Sequence, residues 1–119
     1  MRVLQGDVTA VPLADGGMDP VVSQEALLHV PDKGRALAEA FRILRRGGRL
    51  AFTDWACHAP LSEADAALLW EGMAAQTLQS LPDYRRLLEA AGFRVVSIED
   101  LTVEWGPILR QRLAMFQAR

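Results

Sequence analysis

The 119-residue sequence has few of the features that mark several large classes of protein. Cys57 is its single cysteine, so no intrachain disulfide can form and a disulfide-stapled secreted domain is not expected. No signal peptide begins at Met1, and no apolar run approaches the ~20 residues that a membrane span requires. We therefore predict a cytoplasmic protein with no membrane partner.

An excess of charge of either sign is also missing. The 13 lysines and arginines are set against 15 aspartates and glutamates, which gives a formal net charge of −2 at pH 7. A chain this close to balance has no global basic field that would attract nucleic acid. No nucleic-acid partner is predicted.

Residues suited to metal or covalent chemistry are few. The two histidines, His29 and His58, together with Cys57 would need carboxylates from elsewhere to close a metal site. No third group is placed to orient Cys57 as a nucleophile. The sequence therefore predicts neither a metal centre nor a cysteine-based catalyst.

The glycine-rich loop that binds nucleotides in many α/β proteins is missing. No Gly-x-Gly occurs in the sequence. Gly16-Gly17 precede a predicted strand and Gly47-Gly48 follow a predicted helix, so neither pair can form that loop after a first strand. Half of the residues are apolar, which is enough for one core, and the length allows one domain at most.

Hydrophobic periodicity gives an alternation of short strands and helices. The predicted strands are residues 2–5, 20–23, 50–55 and 95–103. The predicted helices begin at Asp32, Ser62, Pro82 and about Pro107. The first is expected to be capped by Asp32, and the third to end at Gly92 with a left-handed residue. Strands separated by helix-length segments favour a parallel α/β sheet.

No repeat or linker divides the chain, so we expect one domain over residues 1–119. Within it, residues 1–59 hold the first strands and the first helix. Residues 60–81 form a helical insertion, expected to be one helix from Ser62 to Leu81. Residues 82–119 hold a helix, a strand and a final helix.

Several short motifs follow one another in a fixed order. They are Gly6-Asp7, the stretch 12–19, His29, the stretch 44–48, the strand ending at Asp54-Trp55, and Ala91-Gly92-Phe93. This order resembles the second half of the nucleotide-binding core of class I S-adenosylmethionine-dependent methyltransferases of the small-molecule type. The resemblance implies a partial Rossmann-like, three-layer α/β sandwich without the first two strands, the glycine-rich loop and the acidic residue that holds the ribose.

The cofactor implied by this resemblance is S-adenosylmethionine. Asp7 would accept a hydrogen bond from the adenine amino group, and Val8 would contact the ring. Ser23 and Gln24 would lie at the carboxyl end of a strand, where open α/β sheets bind ligands. From the residue alone, capping a turn is the favoured role of Asp7, because aspartate commonly does so.

The resemblance also suggests catalytic and substrate-binding residues. His29 matches a histidine that could act as a general base, although a structural role near the helix start is the alternative. Asp54 and Trp55 would end a strand on the ligand side. Trp70 and Met73 are candidates for a roof over the substrate, or for a core-facing stripe of a helix.

Three functions remain open at this level. The first is methyl transfer to a small-molecule amine or hydroxyl, with the site completed by a partner or by a missing N-terminal half. The second is a non-catalytic truncated methyltransferase homologue that acts as a dimerising or small-ligand-binding module. The third is an unrelated α/β module with a pocket between Asp7, His29 and Asp54.

The missing strands have a consequence for association. In the family fold the first strand lies beside the strand predicted at residues 20–23, so its absence would expose a sheet edge. Exposed edges attract other chains. We therefore expect a homodimer that forms through sheet edges or exchanged elements.

Overall fold

The computed structural model describes residues 1–117, apart from the side chain of residue 116. Within that part of the chain, two strands alternate with four α-helices. In chain order they are β1 (Val21–Gln24), α1 (Lys33–Ile43), β2 (Leu50–Thr53), α2 (Glu63–Met73), α3 (Leu81–Ala91) and α4 (Thr102–Gln117), with a 3₁₀ turn at Leu27–His29 between β1 and α1. The strands are parallel, with Val21 opposite Leu50 and Gln24 opposite Thr53. The prediction of an α/β, partial Rossmann-like fold is confirmed.

Helix α1 begins where its cap was predicted. The side chain of Asp32 accepts a hydrogen bond from the Arg35 N–H at 3.0 Å, which satisfies one of the free amides at a helix start. The helix ends at Ile43, four residues before Gly47. Gly47 has φ +77° and instead belongs to the turn that leads into β2.

The core lies between one face of the strand pair and helices α1 and α3. Its buried residues are Leu27, Val30, Ala36, Leu37 and Tyr84. Leu50 and Phe52 of β2 pack against this cluster from the sheet. The rings of Phe52 and Tyr84 are tilted, with centroids 5.3 Å apart, and Tyr84 is only 4% exposed. Burial of these apolar groups is the main force that holds the helical layer on the sheet.

The end of α3 confirms the predicted glycine stop. Gly92 has φ +111°, and the N–H of Phe93 donates to the Leu88 carbonyl at 3.0 Å. A Cβ atom at Gly92 would lie 2.9 Å from Cζ of Phe41. Phe93 in turn packs edge-on against Phe41, with ring centroids 5.1 Å apart. This position therefore needs glycine for both its conformation and its space.

The opposite face of the strand pair is open to solvent. Val22, Gln24, Ala51 and Thr53 point to that face and are exposed, Val22 by 69%. Parallel sheets usually bury both faces, so this face is an unpartnered surface. Among the described residues α2 likewise has none buried. No helix in the described range has the length and apolar character needed to cross a membrane.

Two predicted strands are wrong. Residues 2–5 lie outside any strand, and so do residues 95–101, while Thr102 and Val103 belong to α4. Helix α4 begins at Thr102 and contains Pro107, which was predicted to be its start. A strand needs a neighbouring backbone to satisfy its N–H and C=O groups. Neither segment has such a neighbour within the described part of the chain.

The prediction of one helix from Ser62 to Leu81 is also wrong, although its start is right. Ser62 caps α2, accepting a hydrogen bond from the Asp65 N–H at 3.1 Å. The helix ends at Met73 and Ala74 takes a left-handed conformation. This break lets Ala75 become buried and the Gln76 N–H donate to the Leu28 carbonyl at 2.8 Å. Contacts to the core thus outweigh continuation of a helix that has no buried face.

An ion pair holds the loop that precedes β1 against α1. The Arg42 guanidinium donates to the carbonyls of Val11 and Leu13 at 2.9 and 2.8 Å, and to the carboxylates of Asp15 and Glu39. Glu39 also accepts from the Val11 N–H at 2.8 Å. The hydrogen bonds from Arg42 make the largest contribution, and the bond from the Val11 N–H the next largest, to lowering the pKa of Glu39 to about 2.

Replacing Glu39 by glutamine should change how stability depends on pH. The Glu39 carboxylate has a pKa of about 2 when folded and 4.5 as its ordinary value, so it stabilises the folded state above pH 4.5 and loses that effect as the pH falls toward 2. We expect E39Q to be less stable at neutral pH and to lose less stability between pH 4.5 and 2 than the wild type. Urea titrations followed by circular dichroism would measure both.

Glu71→Gln, on the exposed α2, is the control for loss of one negative charge. An equal acid sensitivity of E39Q and the wild type would refute the assigned role of Glu39.

Two glycine substitutions should have opposite effects on stability. Gly92→Ala should destabilise by about 1–2 kcal/mol, because alanine is strained at positive φ and its Cβ would collide with Phe41. Gly72→Ala, inside α2 with no atom near the added Cβ, should stabilise by about 0.5–1 kcal/mol through helix propensity. Thermal and urea unfolding measure the difference. Equal stabilities of the two variants would disprove the packing described at Gly92.

Candidate functional site

Asp54 lies directly after β2 and joins three elements at the carboxyl end of the strand pair. Its Oδ1 accepts a hydrogen bond from the Leu28 N–H at 3.2 Å, and its Oδ2 accepts one from the Tyr84 hydroxyl of α3. Burial, and then the bond to Asp54, raises the pKa of Tyr84. Both carboxylate oxygens are therefore engaged within the protein. The predicted role of Asp54 in binding substrate stays a prediction.

Lys33 is buried beside this cluster, which the sequence pattern did not indicate. The residue is only 2% exposed. Its Nζ donates hydrogen bonds to the Val30 carbonyl and to the Thr77 hydroxyl, each at 2.8 Å. Burial lowers the pKa of Lys33, while the negative charge of Asp54 opposes that shift. The ammonium group links the start of α1 to the segment after α2.

His29 ends the 3₁₀ turn and faces solvent. Its Nδ1 lies 3.1 Å from the carbonyl oxygen of Ala74. The two residues before it, Leu27 and Leu28, are buried, so the backbone that carries the imidazole is anchored in the core. His29 thus combines an exposed ring with a fixed backbone.

Asp7 is held in a tight turn by Thr9. Its Oδ1 accepts from the Thr9 hydroxyl at 2.6 Å and from the Thr9 N–H at 2.8 Å. The bond from the Thr9 hydroxyl, and to a smaller extent the bond from the Thr9 N–H, lowers the pKa of Asp7. The carboxylate is therefore ionised at neutral pH. Thr9 was missed by the sequence reasoning, although an aspartate whose side chain bonds two residues on is a known turn signal.

Asp7, Val8 and His29 meet at one surface cleft. The cleft has a volume of about 380 Å³ and is lined by Asp7, Val8, Thr9, His29, Val30, Pro31 and Asp32. A second cleft, of about 310 Å³, also includes Asp7 and Val8 and extends over residues 4–13. The structure therefore brings together three of the residues predicted for cofactor binding and catalysis.

Ser23 and Gln24 end β1 as predicted but line neither cleft. Glu25, the next residue, has φ +50°, and its N–H donates to the Thr53 carbonyl at 2.7 Å. A residue with a side chain pays a conformational cost at positive φ, and such positions are concentrated at functional sites. The strained turn at Glu25 directs the chain from β1 toward His29.

The residues predicted to bind substrate are not gathered around His29. Trp55 and Met73 are half-buried and Trp70 is 52% exposed, and none of them lines either cleft. Met73 immediately precedes Ala74, so the end of α2 still adjoins the imidazole of His29. Their assignment to substrate remains a prediction.

The thiol of Cys57 and the imidazole of His58 are hydrogen-bonded to other parts of the protein. Cys57 Sγ donates to the Leu78 carbonyl at 3.4 Å, and His58 Nε2 lies 2.7 Å from Oδ2 of Asp100. No group of three potential metal ligands occurs in the range that the structure describes. The cleft between Asp7 and His29 is thus the candidate site.

Several known proteins that are similar to this chain are methyltransferases. Residues 1–52 match the family described as "Methyltransferase domain". The sarcosine/dimethylglycine N-methyltransferase of Halorhodospira halochloris is 37% identical over 102 residues, which cover 86% of this chain and 37% of that protein. The 27-O-demethylrifamycin SV methyltransferase of Amycolatopsis mediterranei is 36% identical over 99 residues, which cover 81% of this chain and 36% of that protein.

A solved structure agrees with these relatives. The crystal structure of an S-adenosylmethionine-dependent methyltransferase from Thermotoga maritima is 28% identical and superposes with a TM-score of 0.65, covering 79% of this chain and 46% of that one. The chain spans little more than a third of the length of the two curated relatives named above. In its sequence matches, its parallel strand pair and the order of its motifs, the chain is similar to the C-terminal part of class I S-adenosylmethionine-dependent methyltransferases.

Proposed function

We propose that this chain forms part of an S-adenosylmethionine-dependent site that methylates a small-molecule amine or hydroxyl. The observation that carries the proposal is the common cleft of Asp7, Val8 and His29. One of its walls, His29, follows Leu28, whose N–H is hydrogen-bonded to Asp54 at the carboxyl end of β2, and α/β folds bind ligands at that end of their strands. Similarity to an N-methyltransferase of sarcosine and dimethylglycine supports a small acceptor.

The residues at the cleft suit the adenosyl group. Asp7 is ionised and Thr9 occupies one of its oxygens, so the other oxygen is available to accept from the adenine amino group. Val8 is exposed beside it and offers an apolar contact to the ring. Ser23 and Gln24 would extend the cofactor side along the end of β1. The bound cofactor would supply an electrophilic methyl group.

His29 would act on the methyl acceptor. A hydroxyl, or a primary or secondary amine, loses a proton when it forms its bond to the methyl carbon, and the imidazole of His29 would take that proton. Asp54 would contribute through the fixed position of the 3₁₀ turn and its negative charge, because both of its oxygens already accept hydrogen bonds. The methyl acceptor would be covered by Trp55 and by two residues of the segment 60–81, Trp70 and Met73.

The rest of the site would come from outside this sequence. A complete enzyme needs the glycine-rich loop and the ribose-binding acid, which another polypeptide segment or a partner would provide. The exposed face of the strand pair, marked by Val22, is a surface on which a second copy could pack. The same surface supports the second candidate function, a non-catalytic dimerising or ligand-binding module.

Calorimetric titration with S-adenosylmethionine and S-adenosylhomocysteine tests the cofactor site. We expect saturable binding to the wild type and a weakening of about 10-fold or more in Asp7→Asn, because a charge-assisted hydrogen bond is lost. Asp65→Asn, at the exposed start of α2, is the matched control and should bind as the wild type does. A folded wild type that takes up neither compound would eliminate the cofactor proposal and leave the non-catalytic module.

Light scattering after size-exclusion chromatography tests the proposed dimer. We expect twice the 13.1 kDa chain mass for the wild type and a shift to monomer for Val22→Lys, because a second copy packed on this face would bury the charge of the lysine without a partner. Val96→Lys is the control, since Val96 is 87% exposed outside the sheet. A wild type that stays monomeric at all concentrations would rule out the dimer.

A further inference from the structure

The two histidines of the chain make hydrogen bonds through opposite ring nitrogens. His29 uses Nδ1, which lies 3.1 Å from the Ala74 carbonyl, whereas His58 uses Nε2, which lies 2.7 Å from the Asp100 carboxylate. A carbonyl oxygen and an ionised carboxylate accept hydrogen bonds and cannot donate them. Each of these two nitrogens must therefore carry a hydrogen in the neutral imidazole.

We infer that the Ala74 carbonyl holds neutral His29 as its Nδ1–H tautomer, which leaves Nε2 as the nitrogen that accepts a proton. Ala74 is in this sense a positioning residue, because it acts through the imidazole. Among the described residues Nε2 of His29 has no hydrogen-bond partner. Free imidazole side chains exchange between tautomers, so a fixed acceptor nitrogen is a property that this contact creates.

The end of α2 is shaped to present that carbonyl. Ala74 has φ 52° and ψ 34°, and its N–H donates back to the Trp70 carbonyl at 3.0 Å. The next residue, Ala75, is buried. Because the chain reverses at Ala74, its carbonyl leaves the helix axis and lies beside the 3₁₀ turn.

A second hydrogen bond sets the distance between these segments. The Gln76 N–H donates to the Leu28 carbonyl at 2.8 Å, one residue before His29. The N–H of Leu28 donates to Asp54, which the Tyr84 hydroxyl also holds. Both backbone groups of Leu28 are thus occupied, and the backbone next to the imidazole has little freedom to move away from Ala74.

The chemical meaning of this tautomer rests on the proposed function. The N–H or O–H bond of the methyl acceptor would break, and its proton would go to Nε2 of His29. The electron pair of the acceptor would form the new bond to the methyl carbon, while the electrons of the sulfur–carbon bond would remain on sulfur. The Nδ1–H group would keep its bond to Ala74 throughout, so the charged imidazole retains a stabilising acceptor.

Long-range ¹⁵N–¹H correlation spectra of the labelled full chain would test the tautomer without cofactor or acceptor. With the pH raised until the ring shifts no longer change, we expect a protonated-type Nδ1 and an unprotonated-type Nε2 for His29. His58 should show the reverse pattern in the same spectrum. His29→Gln and His58→Gln assign the signals. An Nε2–H form of His29, or an averaged mixture, would overturn the inference.

Substitutions at Ala74 separate positioning from general stability. Ala74→Gly and Ala74→Asn are compatible with a left-handed residue and should keep the Nδ1–H pattern of His29. Ala74→Val is strained there and should shift His29 toward a mixture while the His58 signals stay unchanged. An unchanged His29 pattern in a folded A74V would contradict the role of Ala74. If A74V does not fold, A74N decides: loss of the Nδ1–H pattern in A74N would contradict that role.

The tautomer and the proposed function can be refuted independently of each other. A wild type with the expected tautomer that binds no S-adenosylmethionine retains the inference about Ala74 and refutes the cofactor site. A wild type that binds S-adenosylmethionine with His29 in the other tautomer retains the cofactor site and refutes the inference.

Discussion

The carboxylate of Asp54 is the contact on which the arrangement of this molecule depends. A half-buried carboxylate is costly unless donors surround it, and here the donors come from the Leu28 backbone and from Tyr84 of α3. The buried ammonium of Lys33 adds an opposite charge nearby. One acidic group after β2 therefore fixes the 3₁₀ turn and α3 relative to the sheet. The position of His29, and with it one wall of the cleft, follows from these bonds.

Charged side chains, together with the backbone hydrogen bonds at Gly16 and Met18, hold the segment before β1. Arg42 and Glu39 bind the loop that precedes β1, and Arg45 donates to the Asp19 carboxylate at the entrance to that strand. Hydrogen bonds from the Arg49 backbone and from Arg45 lower the pKa of Asp19. Because residues 2–5 have no neighbouring strand, the segment that carries Asp7 is anchored by the bonds of Arg42 and Glu39 to Val11 and by the Arg35 Nε–H, which donates to the Thr9 carbonyl at 3.0 Å.

Sequence reasoning succeeded where a signal is local and failed where a partner is needed. The caps at Asp32 and Ser62 and the stop at Gly92 were predicted, because each depends on atoms within a few residues. The motif order predicted the family, and the alternation of strands with helix-length segments predicted the parallel pair. Residues 95–103 have the apolar pattern of a strand, yet without a neighbouring backbone they form none. Asp54 was correctly placed at a strand end, but its bonds to Leu28 and Tyr84 join residues too far apart in sequence to be predicted.

By itself, then, the sequence determined the helix boundaries that depend on local hydrogen bonds, the α/β class and the similarity to methyltransferases. Only the tertiary structure decided which groups meet, namely Lys33 with Thr77, and His29 with the carbonyl of Ala74. The physical reason is that these contacts span tens of residues, 44 and 45 respectively. They form because burial of the core brings those segments together, and no short-range pattern encodes that approach.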